Sequence, residues 1–284
     1  MQFPITFTKM SGAGNDFILI DHRRPLLADT AAAQSFARAV CERKFSVGAD
    51  GLILLEDSDE ADFRWQFFNA DGSPAGMCGN GARCAARFAY ESGIVDHSRL
   101  RFATGAGLIE AEISGTAVLL TMTPPGEWRL NLHLAGPAGE ELTLHLVDTG
   151  VPHSVLFCDE LATVPVKEWG RYFRNHPRFA PAGCNVNFVG RDDTSGRLRL
   201  RTYERGVEDE TLACGTGAVA AALVAARLGL AVSPTTVVTS GQEELVIHYR
   251  GQDEQFQDVR LEGPADFIYQ GSLHPEAIRR RDRA

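Results

Sequence analysis

The sequence predicts an α/β (α+β) fold of two pseudo-symmetric lobes, each a mostly antiparallel, strand-rich shell around a central helix. Three observations carry that prediction. Short apolar runs punctuated by Gly, Pro and Asp fill most of the 284 residues, as a chain of short strands requires. The run Met77-Cys78-Gly79-Asn80-Gly81-Ala82 is echoed about half a chain later by Ala213-Cys214-Gly215-Thr216-Gly217-Ala218. Behind each copy lies an Ala-rich stretch of helical character, and ahead of each an aromatic strand (residues 65–68 in one, Tyr203 in the other). A short echo can arise by accident, but the matching helix behind each copy favours two similar lobes, with the break near Pro124-Pro125. The expected N-terminal lobe is residues 1–123, carrying Cys78 and completed by the C-terminal segment 266–284. The expected C-terminal lobe is residues 124–265, carrying Cys214.

In chain order, strands are expected at residues 3–9, 17–21, 51–56, 62–68, 99–103, 108–113 and 117–123. After Pro124-Pro125 they are expected at 130–134, 142–147, 153–157, 186–189, 198–204, 236–239, 245–249 and 259–263. Alternation such as Leu198-Arg199-Leu200-Arg201 implies one solvated face, which antiparallel sheets allow. Helices are expected at 31–43, 80–92, 166–175 and 216–228. The first and third are amphipathic. The second and fourth start in a Gly-containing turn and stop at Gly93 and Gly229, as helices that end in a left-handed residue do. Small apolar residues through 218–226 indicate a helix surrounded by protein.

Composition narrows the function classes. A formal charge of −9 argues against nucleic acid or an anionic membrane as a general partner, while leaving room for a local basic pocket. No stretch approaches the roughly 20 apolar residues of a bilayer span, and the start at Met1 lacks the basic, apolar pattern of a secretory leader; the expected location is the cytoplasm. Six cysteines in such a chain are not a disulfide framework, and neither Cys-x-x-Cys nor zinc-spaced His pairs occur, so no metal is expected. Most of the six read as small buried hydrophobes.

Cys78 and Cys214 read differently. A thiol has a pKa near ~8.5 and is the nucleophile or base only as thiolate. Each of the two sits at a helix start, where unpaired N–H groups and the helix dipole favour the anion. The Gly residues that follow admit a ligand close to the backbone, and the N–H groups of Gly79-Asn80 and Gly215-Thr216 suit a carboxylate. With the motifs facing each other, one thiolate would remove an α-proton from one face of a carbon and the other thiol would return a proton to the opposite face, the N–H dipoles steadying the carbanion. Burial remains the default for any single cysteine. Duplication reverses that preference for this pair. Pyridoxal phosphate, the usual means of α-proton removal, needs a Schiff-base lysine; Lys9, Lys44 and Lys167 are the lysines present, none in a phosphate-cradling context, so no cofactor is expected.

These residues also carry a family likeness. The chain resembles diaminopimelate epimerases along essentially its whole length. The motifs that carry it are Lys9-Met10-Ser11-Gly12-Ala13-Gly14-Asn15-Asp16-Phe17, Phe68-Asn69-Ala70-Asp71-Gly72-Ser73, Met77-Cys78-Gly79-Asn80-Gly81-Ala82-Arg83-Cys84, Gly150-Val151-Pro152-His153, Asn185-Val186-Asn187-Phe188, and Tyr203-Glu204-Arg205-Gly206 leading to Thr211-Leu212-Ala213-Cys214-Gly215-Thr216-Gly217. The resemblance implies a substrate cleft between the lobes and cofactor-free interconversion of LL- and meso-diaminopimelate on the route to lysine. It implies Cys78 and Cys214 as base and acid, with His153 and Glu204 tuning the thiols. It implies Asn15, Asn69, Gly79, Asn80, Asn185, Glu204, Arg205, Gly215 and Thr216 as substrate contacts, and association as a homodimer. An Arg at 205 suits bidentate capture of a distal carboxylate.

Each of these residues also has a plainer reading. Asn15 and Asn69 suit turns, His153 suits a satisfied buried ring, and Glu204 with Arg205 suits a surface ion pair. Two positions depart from the pattern. Val151 stands where some members carry a substrate-contacting Asn, and Gly51 where some carry Gln, so the distal amino-acid group is met by backbone or water, or the specificity differs. The main alternative is a racemase or epimerase of another amino acid on the same scaffold. A Cys78–His153 acyl-transfer pair is a further one, but it leaves the second motif without a role. A thiol or metal-binding module has no ligand spacing to support it.

Overall fold

The computed structural model describes residues 2–192, 194–251 and 255–279; residues 280–284 of the segment expected to complete the first lobe lie outside the described residues. The elements run β1 (Ile5–Gly12), β2 (Asn15–Asp21), α1 (Thr30–Cys41), β3 (Gly51–Glu56), β4 (Phe63–Asn69), α2 (Gly79–Glu91), β5 (Arg99–Thr104), β6 (Gly107–Ser114) and β7 (Ala117–Thr121). There follow β8 (Gly126–Ala135), β9 (Glu141–Asp148), β10 (Pro152–Phe157), α3 (Val166–Arg174), β11 (Asn185–Arg191), β12 (Leu198–Glu204), β13 (Asp209–Thr211) and α4 (Gly215–Arg227). The chain ends with β14 (Thr235–Val238), β15 (Glu244–Arg250), β16 (Gln257–Pro264) and β17 (Asp266–Leu273). None of the helices is long and apolar enough to cross a membrane. The chain packs as two compact units, Met1–Leu120 with Pro264–Ala284, and Thr121–Gly263; the division falls a few residues before Pro124-Pro125.

In the first unit β17, β1 and β2 pair antiparallel, β2 and β3 parallel, β3 and β4 antiparallel, β4 and β5 parallel, and β5, β6 and β7 antiparallel. Each parallel step is bridged by a helix, α1 or α2, as parallel neighbours need a crossover. Alternate residues of one strand point to opposite faces, and here both faces are covered. Ile18, Ile20, Leu52 and Leu54 pack with Phe36, Ala37 and Val40 of α1. On the other face, a Cβ at Gly81 of α2 would lie 3.2 Å from Ile53 and 3.5 Å from Phe17. This is why β3 reads as an unbroken apolar run and is buried throughout.

The second unit repeats the succession. Strands β8, β9 and β10 pair antiparallel, β10 and β11 parallel across α3, β11 and β12 antiparallel, β12 and β14 parallel across α4, and β14, β15 and β16 antiparallel. Leu144, Leu146, Leu156, Val186 and Phe188 form a core with Val166 and Phe173 of α3, while α4 lies against β9 to β12, β14 and β15. Residues 217–225 of α4 are all buried, which is what its all-round small apolar composition requires. Both α2 and α4 close the same way: Gly93 and Gly229 take φ of 68° and 72°, and the next residues, Ile94 and Leu230, donate back to Ala89 and Ala225.

Two elements depart from the sequence expectation. β17 reads as no strand because most of its side chains are exposed and it contains Gly271; pairing with β1 from Ile5–Leu273 to Ser11–Asp266 makes it one. β13 is a polar run paired to β12, fixed by two hydrogen bonds of 2.8 and 2.9 Å from the Arg201 guanidinium to the Glu210 carboxylate.

Candidate active site

The first unit brings Asn15, Asn80 and the Cys78 helix start together. The β1–β2 turn takes two left-handed residues, Ala13 (φ 52°) and Gly14 (φ 97°), and sets Asn15 at its exit. The Asn80 side-chain amide donates to Asn15 Oδ1 at 2.8 Å, across 65 residues of sequence. Asn15 in turn donates to Asp50 Oδ2 at 3.0 Å, and Arg83 Nη2 donates to Asn80 Oδ1 at 2.8 Å. Both amides are thereby fixed in orientation. Behind Asn15, Arg43 donates to Asp16 and Asp50, and Lys9 Nζ reaches Asp16 at 2.9 Å and the Gly48 carbonyl. Burial alone would raise the Asp16 carboxyl, but hydrogen bonds from Arg43 and Lys9 outweigh it and hold it at about 2.

Cys78 is the N-cap of α2, in extended backbone (φ −149°, ψ 117°) with its carbonyl accepting from Ala82 N at 2.8 Å. The N–H groups of the first turn therefore have no partner from the helix ladder. A Cβ at Gly79 would meet nothing within 4 Å, whereas one at Gly12, on β1, would lie 2.7 Å from the Asn80 carbonyl and 3.1 Å from Cys84 Sγ. The helix start is packed tightly behind and open at Gly79. Cys84 is fully buried, and burial pushes its thiol up to about 12. Asn69 closes the turn after β4, donating to Ser73 Oγ at 3.0 Å; this satisfies its plainer reading and leaves it exposed. Gly51 pairs with Asn69 across β3 and β4, and a Cβ there would fall 2.6 Å from the Phe67 ring and 2.8 Å from the Phe68 carbonyl, so a longer residue needs both Phe67 and the β4 backbone to shift.

The second unit repeats the arrangement with different partners. Cys214 caps α4 (φ −127°, ψ 107°), its carbonyl accepting from Ala218 N at 2.9 Å, and its sulfur lies 3.6 Å from Thr216 Oγ1. Thr149, buried, donates its hydroxyl to the Thr216 carbonyl at 3.1 Å. His153, Asn185 and Arg205 meet. Asn185 Oδ1 accepts from the Arg205 backbone N–H at 2.8 Å, and its Nδ2 lies 3.5 Å from His153 Nε2. The parallel register aligns His153 with Asn185. Arg205 also donates to the Ala182 carbonyl at 3.3 Å. Burial, with the positive charge of Arg205 nearby, pushes His153 down to about 3, so the ring is neutral at ordinary pH. Burial raises the Glu204 carboxyl, opposed by the Thr211 side chain. Val151 adds no polar side chain; its carbonyl accepts from Thr149 N at 3.1 Å.

Three groups escaped the sequence reading. Asp50 and Arg43 orient Asn15, Thr149 holds the α4 start, and Asn187 lies fully buried against His153. A signal existed for the last: Asn185 and Asn187, two apart on one strand, share a face. A depression lined by Pro137 and by Lys167, Glu168, Arg171 and Tyr172 of α3 involves none of the expected site residues. Among the described residues no cluster of three or more His, Cys, Asp or Glu gathers as metal ligands. Lys9 is engaged by Asp16 and Lys167 by Asp209.

The family model for diaminopimelate epimerase matches residues 7–126 and 145–268. The diaminopimelate epimerase of Aquifex aeolicus is 43% identical over 96% of this chain and 99% of its own, and that of Chlorobaculum tepidum 44% identical over 93% and 99%. Among solved structures, a phenazine biosynthesis protein of the PhzF family from Bacillus anthracis superposes with a TM-score of 0.75 at 15% identity, covering 96% of this chain and 100% of that one. A probable proline racemase from Agrobacterium radiobacter superposes with a TM-score of 0.67 at 17% identity, covering 96% and 95%. At such identities the likeness is one of fold, a strand-rich mixed α/β fold.

Proposed function

The chain belongs to the diaminopimelate epimerase family, and from that premise we propose that it interconverts LL-2,6-diaminopimelate and meso-diaminopimelate in lysine biosynthesis, with Cys78 and Cys214 as the base and acid. The family's enzymes are isomerases that work without pyridoxal phosphate. The observation that carries the reading is the doubled helix start: in each unit a cysteine caps a central helix, and the first-turn N–H groups beside it lack a helical partner.

The chemistry follows from those groups. A substrate carboxylate held by the N–H groups of Gly79-Asn80 and Gly215-Thr216 neutralises part of its charge and makes the neighbouring α-proton more acidic. The thiolate on one face removes that proton, and the thiol on the other face delivers one, which inverts the centre. The two exchange roles when the reaction runs backwards. Asn15, Asn69, Asn185 and Glu204 read the amino and carboxyl groups of the substrate, and Arg205 clamps the distal carboxylate, where a guanidinium fork matches two oxygens. Glu204 and His153 tune the thiols. Orientation of Asn15 by Asp50 and of Asn185 by the Arg205 backbone supports this, since pre-set amides need no reorganisation on binding. We place the enzyme in the cytoplasm as a homodimer; Ile268 and Tyr269, exposed on β17, offer apolar surface for association.

Proton NMR of LL-diaminopimelate incubated with the purified protein in deuterated water tests the reading. The α-proton signal should disappear as the meso isomer forms, without added cofactor. A protein inert to diaminopimelate that exchanges the α-proton of a monocarboxylate amino acid would favour the alternative that Val151 keeps open, a racemase on the same scaffold.

A further inference from the structure

We propose that Asn187 is a positioning residue that locks His153 as the tautomer with its proton on Nε2, so that the ring serves the thiol chemistry as a neutral hydrogen-bond donor. The proposal rests on the reading of His153 as a thiol-tuning residue. Its grounds are the partners of one buried amide.

Asn187 lies on β11 two residues beyond Asn185, the register partner of His153 on the neighbouring β10, and neither Asn187 nor His153 is exposed to solvent. Its Nδ2 donates to the Ser154 carbonyl at 2.9 Å. A carbonyl oxygen can only accept, so the amide nitrogen is the atom on that side. Its Oδ1, on the other side, accepts from the Thr202 hydroxyl at 3.0 Å, and Thr202 stands directly opposite Asn187 in the β11–β12 register. The amide therefore has one orientation that satisfies all its neighbours. The remaining proton on Nδ2 faces His153 Nδ1 at 3.0 Å. That ring nitrogen must be the acceptor, and in a neutral imidazole the proton then sits on Nε2.

The other neighbour of the ring makes the weaker contact. Asn185 Nδ2 lies 3.5 Å from Nε2, but Asn185 Oδ1 is already turned to the Arg205 N–H at 2.8 Å. Asn185 Nδ2 also donates to the Pro152 carbonyl at 3.4 Å, and its 3.5 Å contact with Nε2 is at the outer limit of a hydrogen bond, so the 3.0 Å contact at Nδ1 sets the tautomer. The ring thus carries its single N–H at Nε2. It cannot take a proton through Nδ1, which is closed by Asn187, and burial together with Arg205 keeps it neutral. Such a ring is suited to donate to a thiolate or a substrate oxygen, and not to accept the thiol proton. The packing of α4 defends the arrangement: a Cβ at Gly217 would lie 2.4 Å from Asn187 Oδ1 and 3.2 Å from Cys214 Sγ, so the helix start rests on the same oxygen that Thr202 holds.

The test is a two-bond proton–nitrogen NMR correlation on the full-length protein labelled at the imidazole nitrogens, with His153 assigned by His153→Gln. The wild type should show an unprotonated Nδ1 and a protonated Nε2 from pH 6 to 8. Asn187→Ala should give exchange-averaged tautomers and a kcat lower by about tenfold to a hundredfold, the worth of one hydrogen bond to a charged group, with KM changed less than about threefold. Thr202→Val, which removes only the hydroxyl that orders the amide and suits the case where Asn187→Ala does not fold, should shift the ring signals the same way. A wild-type ring that is protonated on Nδ1 or on both nitrogens would overturn the proposal. So would variants whose ring signals and kcat match the wild type. The ring is read without substrate, so a wild type with the Nε2–H tautomer supports the proposal even if the protein fails to turn over diaminopimelate, and that failure counts against the proposed function alone.

Discussion

At the scale of single residues, position along a helix separates the proposed catalytic thiols from the packing ones. Cys78 and Cys214 cap helices, whereas Cys84 lies one turn inside α2 with its thiol pushed up by burial. Cys78→Ser and Cys214→Ser should each stop epimerisation, because a hydroxyl is far less acidic than a thiol. Each should still eliminate hydrogen halide from a β-halogenated substrate analogue of one configuration, and the two should prefer opposite configurations. Cys84→Ser should leave kcat nearly unchanged. Elimination from the same stereoisomer by both variants, read by halide release, would remove the two-base assignment. His153 makes a second residue-scale prediction. Its pKa in the folded chain is depressed to about 3 from an ordinary value near 6.5, so below pH 6.5 the unfolded state binds a proton that the folded state does not. Stability from this group is therefore full above pH 6.5 and is lost as pH falls towards 3, by at most about 1.4 kcal/mol per unit. Urea unfolding of His153→Gln between pH 6 and 4 should show a shallower slope than the wild type, by roughly 1 kcal/mol per pH unit on the same basis. Equal slopes would mean that the ring is accessible to protons in the folded protein. His145, also depressed by burial, contributes equally to both proteins and cancels.

At the scale of elements, the helix starts show why glycine stands where it does. The sequence makes the Cys-Gly-polar-Gly-Ala repeat plain, but which of its neighbours is tight depends on β1 crossing behind α2. Gly12→Ala would press a methyl group into the Asn80 carbonyl, and should lower the unfolding free energy by about 1–3 kcal/mol, the usual cost of overpacking. Gly79→Ala meets open space and should keep the wild-type Tm, yet raise KM because the methyl group enters the approach to the N–H groups. Thermal unfolding and initial-rate kinetics on the two variants separate these effects. A lowered Tm with unchanged KM in Gly79→Ala would take the carboxylate away from this turn. Gly217 shows the same logic on α4, where Asn187 and Cys214 crowd the missing side chain. The strands were legible wherever one face alternates or both are apolar, as in β3 and β12. β13 was not, because its three polar residues become a strand only through Arg201 and Glu210.

At the scale of the whole chain, the first unit is closed by the last strand. Strand β17 pairs with β1 along its length, buried Leu273 joins the core of Ile5 and Phe7, and the Pro264 and Ala265 carbonyls accept from Arg83 and Arg87 of α2 at 3.1 and 2.7 Å. A chain ending at Gly263 should therefore lose the cooperative unfolding of that unit and fall largely into the insoluble fraction. Circular dichroism melting of whatever remains soluble checks this, and a soluble truncated protein with the wild-type Tm would contradict it. The contacts that close the unit link residues as much as 268 positions apart in the register of Ile5 with Leu273, which no local pattern announces.

What the sequence determined by itself is what short windows encode. Alternation and apolar runs located the strands, Gly93 and Gly229 the ends of the central helices, and the repeated motif around Cys78 and Cys214 the doubled architecture and the family. What tertiary structure alone decided is which polar groups are oriented by which. Asn15 is held by Asp50 and Asn80, and His153 is met at Nδ1 by Asn187, whose own oxygen Thr202 holds. The reason is physical: helix and strand periodicity are set by neighbours a few residues away, whereas a buried polar side chain must find its partner wherever the fold brings one within about 3 Å.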